Sequence, residues 1–348
     1  NRIVMNIYNL TFNQLVETLR SNNIASFRAK QIWDWLYVKL VTNYEEMSNL
    51  DQKTIEFLQT NCPIYIPEVQ LQQEASDGTI KVLLKQHDDE VIETVLMEQD
   101  YGYSVCVTSQ IGCRIGCSFC ASHLGGFKRN LTAGEIVAQV LHFSRLLKEK
   151  NQRVSHVVVM GIGEPMDNLS NVLAFFDIIN DHNGLNIGAR HITISTSGIV
   201  PKIYEFSDYD KQVNLAVSLH APNDKLRSQI MKINNAYPIA QLIESINHYI
   251  DKTNRRVSFE YIMLNGVNDS KECAEQLASL VKGMNCHINL IPFNSVSEYN
   301  YQRSQKQTIE SFKDVLEQQH IQVTIRYSKG SEIDGACGQL RRKHELHA

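Results

Sequence analysis

The run Cys113-Arg114-Ile115-Gly116-Cys117-Ser118-Phe119-Cys120 decides how this chain reads. It follows directly on a short apolar segment at 105–109 with the texture of a strand. Downstream, short apolar strands recur at 156–160, 191–196, 214–218, 257–263, 287–291 and 322–325. Helix-length stretches separate them, among them 133–148, 239–253, 270–282 and 305–319. Strand-helix alternation of this kind predicts parallel βαβ units. The number of strands suits a full or partial barrel, whose chemistry sits at the C-terminal ends of its strands. The cysteine run stands at one such end.

Three thiolates at C-x3-C-x2-C spacing can hold three irons of a cubane cluster, leaving the fourth iron open to a small molecule. The competing reading uses His123, three residues after Cys120, as the fourth ligand of a Cys3His zinc knuckle. The strand before the loop and the barrel behind it favour iron, because a zinc knuckle needs neither.

The other strand ends carry polar residues. Gly161-Ile162-Gly163-Glu164-Pro165 follows the second strand. It is not a dinucleotide fingerprint, since Met166 stands where the third glycine belongs. Glu164 at a strand end supplies an acceptor for an ammonium group. The third strand ends in Ser195-Thr196-Ser197-Gly198, the fourth in Ser218-Leu219-His220, and the sixth leads through Pro292 to Asn294. Each suits the ribose, adenine or carboxylate of a nucleoside ligand.

Outward from the barrel, the first 65 or so residues predict helices. Thr11-Phe12-Asn13-Gln14 resembles a capping box ahead of Leu15 and Leu19, and 27–40 repeats the pattern with Ile32 and Leu36 one turn apart. Trp33, Trp35 and Tyr37 add aromatic bulk of the kind found in cores. Ile80, Val82 and Leu84 alternate after the turn Ser76-Asp77-Gly78, and 91–97 follows a second turn, so the two predict a hairpin.

Over 348 residues the formal net charge is −4. Composition therefore gives no support for nucleic acid, and any RNA footprint must be local. The candidates are Lys128-Arg129, Arg255-Arg256 and Arg341-Arg342-Lys343. No apolar run reaches the ~20 residues of a membrane helix, and no signal pattern opens the chain, so a cytoplasmic protein is expected. Of the eight cysteines, four fall within fifteen residues, which is metal or redox spacing and not a disulfide framework. Cys62, Cys273 and Cys286 read as structural. Cys106 lies on the first barrel strand, and glycines flank Cys337 in Asp334-Gly335-Ala336-Cys337-Gly338.

The cysteine run, with its aromatic Phe119 just before the last cysteine, resembles the signature of the radical S-adenosylmethionine (SAM) superfamily. Within it, the chain resembles the bacterial dual-specificity adenine C2 methyltransferases, which act on 23S ribosomal RNA and transfer RNA. The resemblance rests on 92–95, 106–131, 160–165, 195–201, 218–220, 289–294 and 333–340, and covers essentially the whole chain. It implies an α/β fold: a radical SAM partial (βα) barrel at 103–328, an N-terminal helical domain at 1–66 with possible RNA contact, a connecting β-hairpin region at 67–102 and a C-terminal segment at 329–348.

It further implies a [4Fe–4S] cluster on Cys113, Cys117 and Cys120, and two SAM molecules per turnover. SAM would lie against Gly163, Glu164, Ser195, Ser218, Leu219, His220 and Asn294. One SAM methylates the Cys337 thiolate. A second yields a 5′-deoxyadenosyl radical, which takes hydrogen from that methyl group, and the carbon radical adds to C2 of adenine. Glu93 stands at the family's position for the base that removes the C2 proton. Cys106 then attacks the sulfur of Cys337, forming a disulfide and releasing RNA, which is the chemistry of thiol–disulfide exchange. Flavodoxin or ferredoxin is the implied electron donor. The related C8 methyltransferases that confer antibiotic resistance share the cluster and both cysteines, but carry Ala in place of Pro165 and Ile in place of Ser197. One departure from the C2 pattern is Lys232, where proline is usual; it is expected to lie away from the chemistry.

Overall fold

The computed structural model describes residues 6–295, 298–330, 333 and 340. The N-terminal helices are α1 (Phe12–Ser21), α2 (Arg28–Tyr37) and α3 (Gln52–Asn61). The capping box at α1 forms: Thr11 Oγ1 accepts from Gln14 N, and Gln14 Oε1 accepts from Thr11 N. Trp33 and Tyr37 are buried, with ring centroids 4.5 Å apart, so these aromatics build core. Trp35 is half-buried beneath the Lys39 ammonium.

Three antiparallel strands follow: β1 (Glu68–Glu74), β2 (Ile80–Lys85) and β3 (Val91–Gln99). β3 pairs antiparallel with β4 (Gly102–Cys106), the first strand of the parallel set. The short ribbon β5 (Gln110–Gly112) and β6 (Phe127–Asn130) brackets the cysteine run. Helix α4 (Ala133–Lys148) leads to β7 (Val154–Val159), and α5 (Leu169–Asn180) leads to β8 (Ile192–Thr196). Then come α6 (Val200–Phe206), β9 (Asn214–Ser218), α7 (Asp224–Ile230), α8 (Ile239–Thr253), β10 (Val257–Met263), α9 (Lys271–Leu280), β11 (Cys286–Pro292), α10 (Lys306–Gln318) and β12 (Gln322–Ile325).

One sheet runs β1-β2-β3-β4-β7-β8-β9-β10-β11-β12, parallel from β4 onward. The order is linear, so the barrel is partial, and the antiparallel strands extend its first edge. The N-terminal helices dock on α4. Asn9 Oδ1 accepts from Gly134 N at 2.7 Å, and the Arg145 guanidinium donates to Tyr8 Oη and Leu40 O. A side chain at Gly134 would strike Asn9 within 3 Å, so the docking is close.

The first barrel strand departs from the reading at 105–109: it spans Gly102–Cys106. Val107 and Ser109 still bond the β7 segment through Val158 O, Gly161 N and Ile162 O, but the regular ladder ends at Cys106 because Thr108 takes other partners. Thr108 exchanges two hydrogen bonds with the Gln139 side chain, and its hydroxyl donates to Glu93 O. The cysteine run therefore follows the β5 ribbon and not the barrel strand itself.

Candidate active site

Cys113, Cys117 and Cys120 border one cavity of about 320 Å³ at the C-terminal ends of the barrel strands. The same cavity is lined by Gly163, Glu164, Ser195, Ser218 and His220. These distant residues meet because the exits of β7, β8 and β9 and the loop after β5 converge at this end of the barrel.

The cysteine loop is held from outside. Ser118 N donates to Ile230 O at 2.9 Å, Ser118 Oγ bonds Tyr301 Oη, and Tyr299 Oη donates to Cys120 O at 3.0 Å. His123 bonds the Cys120 carbonyl through Nδ1 and stacks on Tyr299. Burial pushes the Cys113 thiol up to about 12, reinforced by Cys120 and Glu164. The Cys117 thiol is likewise raised by burial and then by Cys120 and Cys113, with Arg227 pulling the other way. Cys120 and Cys113 both raise the Cys117 thiol, so the three stand near one another at one cavity. Three cysteines are the donor set of a cubane whose fourth iron stays open to a small molecule.

The Gly-x-Gly turn is shaped by close approach. A Cβ on Gly161 would lie 2.6 Å from Val107 O, and one on Gly163, at φ +109°, 2.6 Å from Gln110 Cβ. Glycine lets the β7 exit press against the start of the cysteine ribbon. Glu164 is buried and spans two loops: Oε2 accepts from Ser197 N at 2.7 Å and Oε1 from Met166 N at 3.0 Å. Burial raises its carboxyl and these backbone donors draw it back. A carboxylate has lone pairs beyond these two bonds for a cationic ligand.

His220 sits in the left-handed region at φ +59°. Its Nδ1 accepts from Ile262 N at 3.0 Å, and burial holds its pKa down to about 3, so it is neutral. The proton is therefore on Nε2, leaving a donor for the cavity. Phe119 packs edge-on against the ring.

Two residues expected at the cavity are elsewhere. Leu219 is a core side chain; only its backbone takes part, its carbonyl accepting from Arg227 Nε. Asn294 donates to Ser328 Oγ at 2.5 Å and does not line the cavity. Both stand at strand exits, but the pleat sends one inward to the core and the loop carries the other past the rim. Lys232 corrects the expectation in the opposite sense. Its Cδ lies 3.8 Å from where a Cβ on Gly116 would stand, and Met231 lines the cavity, so this segment borders the cysteine run.

A second cavity of about 360 Å³ holds Glu93, Cys106 and Lys81. It shares Met160, Gly161, Glu260 and Ile291 with the first, so the two adjoin. Strand register explains the grouping. Lys81 faces Val95, Glu93 faces Leu83 and Cys106 faces Val95, so all project from one side of the sheet. Glu93 is 3% exposed, which removes the alternative of a solvent-facing hairpin charge. Burial pushes the Cys106 thiol up to about 11; the Met160 backbone pulls it down, Glu93 raises it and Lys81 lowers it. Cys337 lies outside the described residues, but Tyr327, Ser328, Lys329 and Ile333, which lead toward it, line this cavity.

Sequence reasoning missed Lys81, Arg227 and Glu260. Arg227, fully buried, donates to Leu219 O, Ser197 O, Ser218 O and Asn234 Oδ1, tying the exits of β8 and β9 to the segment after α7. Glu260 accepts from Asn289 Nδ2 at 2.8 Å at the junction of the cavities. Nothing in the local pattern marked them: Lys81 and Glu260 are single polar residues in apolar runs, and Arg227 is one charge among polar helix neighbours. The basic pairs proved mixed. Lys128 bonds Glu90, and Arg129 bonds Asp88 and Glu135, so that pair is spent inside the protein. Arg255 and Arg256 donate to Asn214 and Gln322 at the opposite end of the barrel. Arg341-Arg342-Lys343 lies outside the described residues.

Residues 107–281 match the radical SAM superfamily model, and 5–64 match the ribosomal RNA large subunit methyltransferase N-terminal domain. The chain belongs to the radical SAM superfamily and, within it, to the RlmN family. It is 55% identical to a probable dual-specificity RNA methyltransferase RlmN of Bacillus pumilus (strain SAFR-032), over 97% of this chain and 94% of that one. A Bacillus subtilis (strain 168) protein of the same description is 53% identical over 97% of this chain and 93% of its own. A crystal structure of a radical SAM methyltransferase from Sphaerobacter thermophilus superposes with a TM-score of 0.93 at 42% identity, covering 96% of this chain and 98% of that chain. The family's cofactors are a [4Fe–4S] cluster and SAM, and the first cavity has the donors for both. No helix among the described residues is long and apolar enough to cross a membrane.

Proposed function

We propose that this protein methylates C2 of adenine in 23S ribosomal RNA and in transfer RNA 3′ of the anticodon, through an S-methylcysteine on Cys337. The observation that carries this reading is the junction of the two cavities at Met160, Gly161, Glu260 and Ile291. The cysteine loop and the Glu93–Cys106 pair thus stand on either side of the same four residues.

In this reading Cys113, Cys117 and Cys120 ligate the cluster. Gly163, Glu164, Ser195, Ser218 and His220 hold SAM: the Glu164 carboxylate takes its ammonium and His220 Nε2–H donates to an acceptor. When bound, the cluster and SAM supply the 5′-deoxyadenosyl radical. Glu93 accepts the C2 proton of the base. Cys106 attacks the sulfur of Cys337: the disulfide forms as the bond from that sulfur to the methylene breaks, the electron pair goes to the methylene carbon, which takes up a proton, and the methylated RNA leaves. Burial raises the Cys106 thiol, so it must give up its proton to attack, since the thiolate is the nucleophile. The N-terminal helical domain, 1–66, docks RNA on the barrel mouth. A flavodoxin or ferredoxin of the cytoplasm provides electrons. The 67–102 strands form one wall of the reaction cavity, 103–328 is the barrel, and 329–348 brings in the methyl carrier.

Anaerobic treatment of 23S ribosomal RNA and transfer RNA with reconstituted protein, followed by nucleoside mass spectrometry, tests the reading. The expected product is 2-methyladenosine. Recovery of 8-methyladenosine would move the protein to the C8 class.

A further inference from the structure

Of the charged groups of the reaction cavity that the proposed reaction does not use, Lys81 is the one paired with Glu93. Lys81 stands on β2, diagonal to Glu93 on β3, and its Nζ is 3.4 Å from Glu93 Oε1. Both side chains are almost wholly buried, Lys81 at 1% and Glu93 at 3% exposure. Val95, Met97 and Ile291 share the wall around them.

Stability does not account for this pair. Two charges taken out of water cost several kcal/mol each, and apolar replacements of the same volume are often neutral or stabilising. A strand face that already carries Val95 and Met97 could hold another apolar residue at position 81. The ammonium is instead at the one place where it contacts the proposed base. It also lies near enough to Cys106 to oppose the effect of burial on that thiol.

We propose that Lys81 is the positioning residue for Glu93, its ammonium holding the carboxylate in the reaction cavity so that it faces the substrate base. This rests on the reading of Glu93 as the group that accepts the C2 proton. In that transfer the proton passes from carbon to a Glu93 oxygen and the bonding electrons stay with the base. A buried carboxylate stripped of its counter-ion neutralises or turns toward other donors, and either outcome ends its use as a base. Lysine suits the position because its ammonium is a compact charge on a flexible stem, which can follow the carboxylate during the transfer.

The test uses full-length reconstituted protein with Lys81→Met, Lys81→Arg, Glu93→Gln and the double variant Lys81→Met/Glu93→Gln. Iron content, 5′-deoxyadenosine release, methylation of Cys337 and methylated adenine are measured on each. Lys81→Met should keep iron, deoxyadenosine release and Cys337 methylation, while kcat for base methylation falls on the order of a hundredfold and KM for RNA stays within a factor of about two. Lys81→Arg should recover a substantial part of kcat. The double variant should be no slower than Glu93→Gln alone, because a positioning residue has nothing left to position.

If Lys81→Met loses iron through misfolding, the double variant, which removes both charges, and the arginine variant carry the same comparison. Losses that multiply in the double variant, or a raised KM with intact kcat, would overturn the assignment of Lys81 alone. Wild-type protein that makes no C2-methylated adenine would overturn the reading of Glu93 as well.

Discussion

Glu164 and Glu93 are the same residue type, equally buried, in two cavities that adjoin, yet they are held in opposite ways. Glu164 is fixed by backbone N–H groups of Ser197 and Met166, which belong to two strand exits and cannot move independently of them. Glu93 is met by the Lys81 ammonium, on a stem with four rotatable bonds. Backbone donors make a rigid bracket, suited to a site that must hold a cofactor in one pose. A side-chain counter-ion makes an adjustable one, suited to a group that gains and loses a proton.

The largest effects should break the first cavity outright. Cys113→Ala/Cys117→Ala/Cys120→Ala should contain no iron and release no 5′-deoxyadenosine. A triple variant that stays brown would remove these thiols from the cluster. Next comes Cys106→Ala, which touches only the second cavity. It should bind iron as wild type does and accumulate RNA covalently bound to Cys337 that survives denaturation. Free turnover without an adduct would make Cys106 a structural strand residue.

Glu93→Gln sharpens the contrast between the two carboxylates. Base methylation should fall between about a hundredfold and ten-thousandfold, the usual worth of a general base, with deoxyadenosine release intact. If both fall together, Glu93 acts in the first cavity. Glu164→Gln should do the reverse. Losing the charged acceptor of two backbone bonds should cost about 2 kcal/mol, read as a roughly thirtyfold rise in KM for SAM. An unchanged KM for SAM would confine Glu164 to bracing the loops.

The smallest effect lies at the junction. Burial raises the Glu260 carboxyl above its ordinary 4.5, although Asn289 and Arg326 oppose the shift. The folded state therefore binds this proton more tightly than the unfolded chain, and stability is lost as pH rises from 4.5 through the raised folded value. Glu260→Gln keeps a partner for Asn289 and removes that loss. The variant protein without cofactors should melt higher than its parent at neutral pH, with the gain shrinking toward acid. A variant that melts lower at neutral pH would mean that the Arg326 partnership outweighs burial.

Much of the barrel was legible in advance. The strands at 214–218, 257–263 and 322–325 and the helices at 133–148 and 239–253 fall where hydrophobic periodicity placed them. These are long segments or apolar runs with clear punctuation. The strands β5 and β6 have three and four residues, too few for a period to register. β1 was missed because its outer position leaves Val69 and Leu71 exposed among polar neighbours, which blurs the alternation.

At the site, local spacing marked the cysteine run, since its three cysteines lie within eight residues. The residues at the exits of β7, β8, β9 and β11 were read as candidate ligand groups. Their sorting into lining and non-lining was not legible, as Leu219 and Asn294 show. The placement of Lys232 beside Gly116 depended on how the turn after α7 folds back over the cysteine loop.

By itself, the sequence determined that strands alternate with helices, that three thiols stand at a strand exit, and to which superfamily the pattern belongs. These are properties of neighbours along the chain, set by periodicity and spacing. Only the tertiary structure decided that Lys81, Glu93 and Cys106 face one cavity, that this cavity adjoins the cysteine site, and that Arg227 on α7 and Glu260 on β10 are buried beside them. Strand register and the parallel stacking of distant segments govern those contacts, and a one-residue slip would send each side chain to the other face of the sheet.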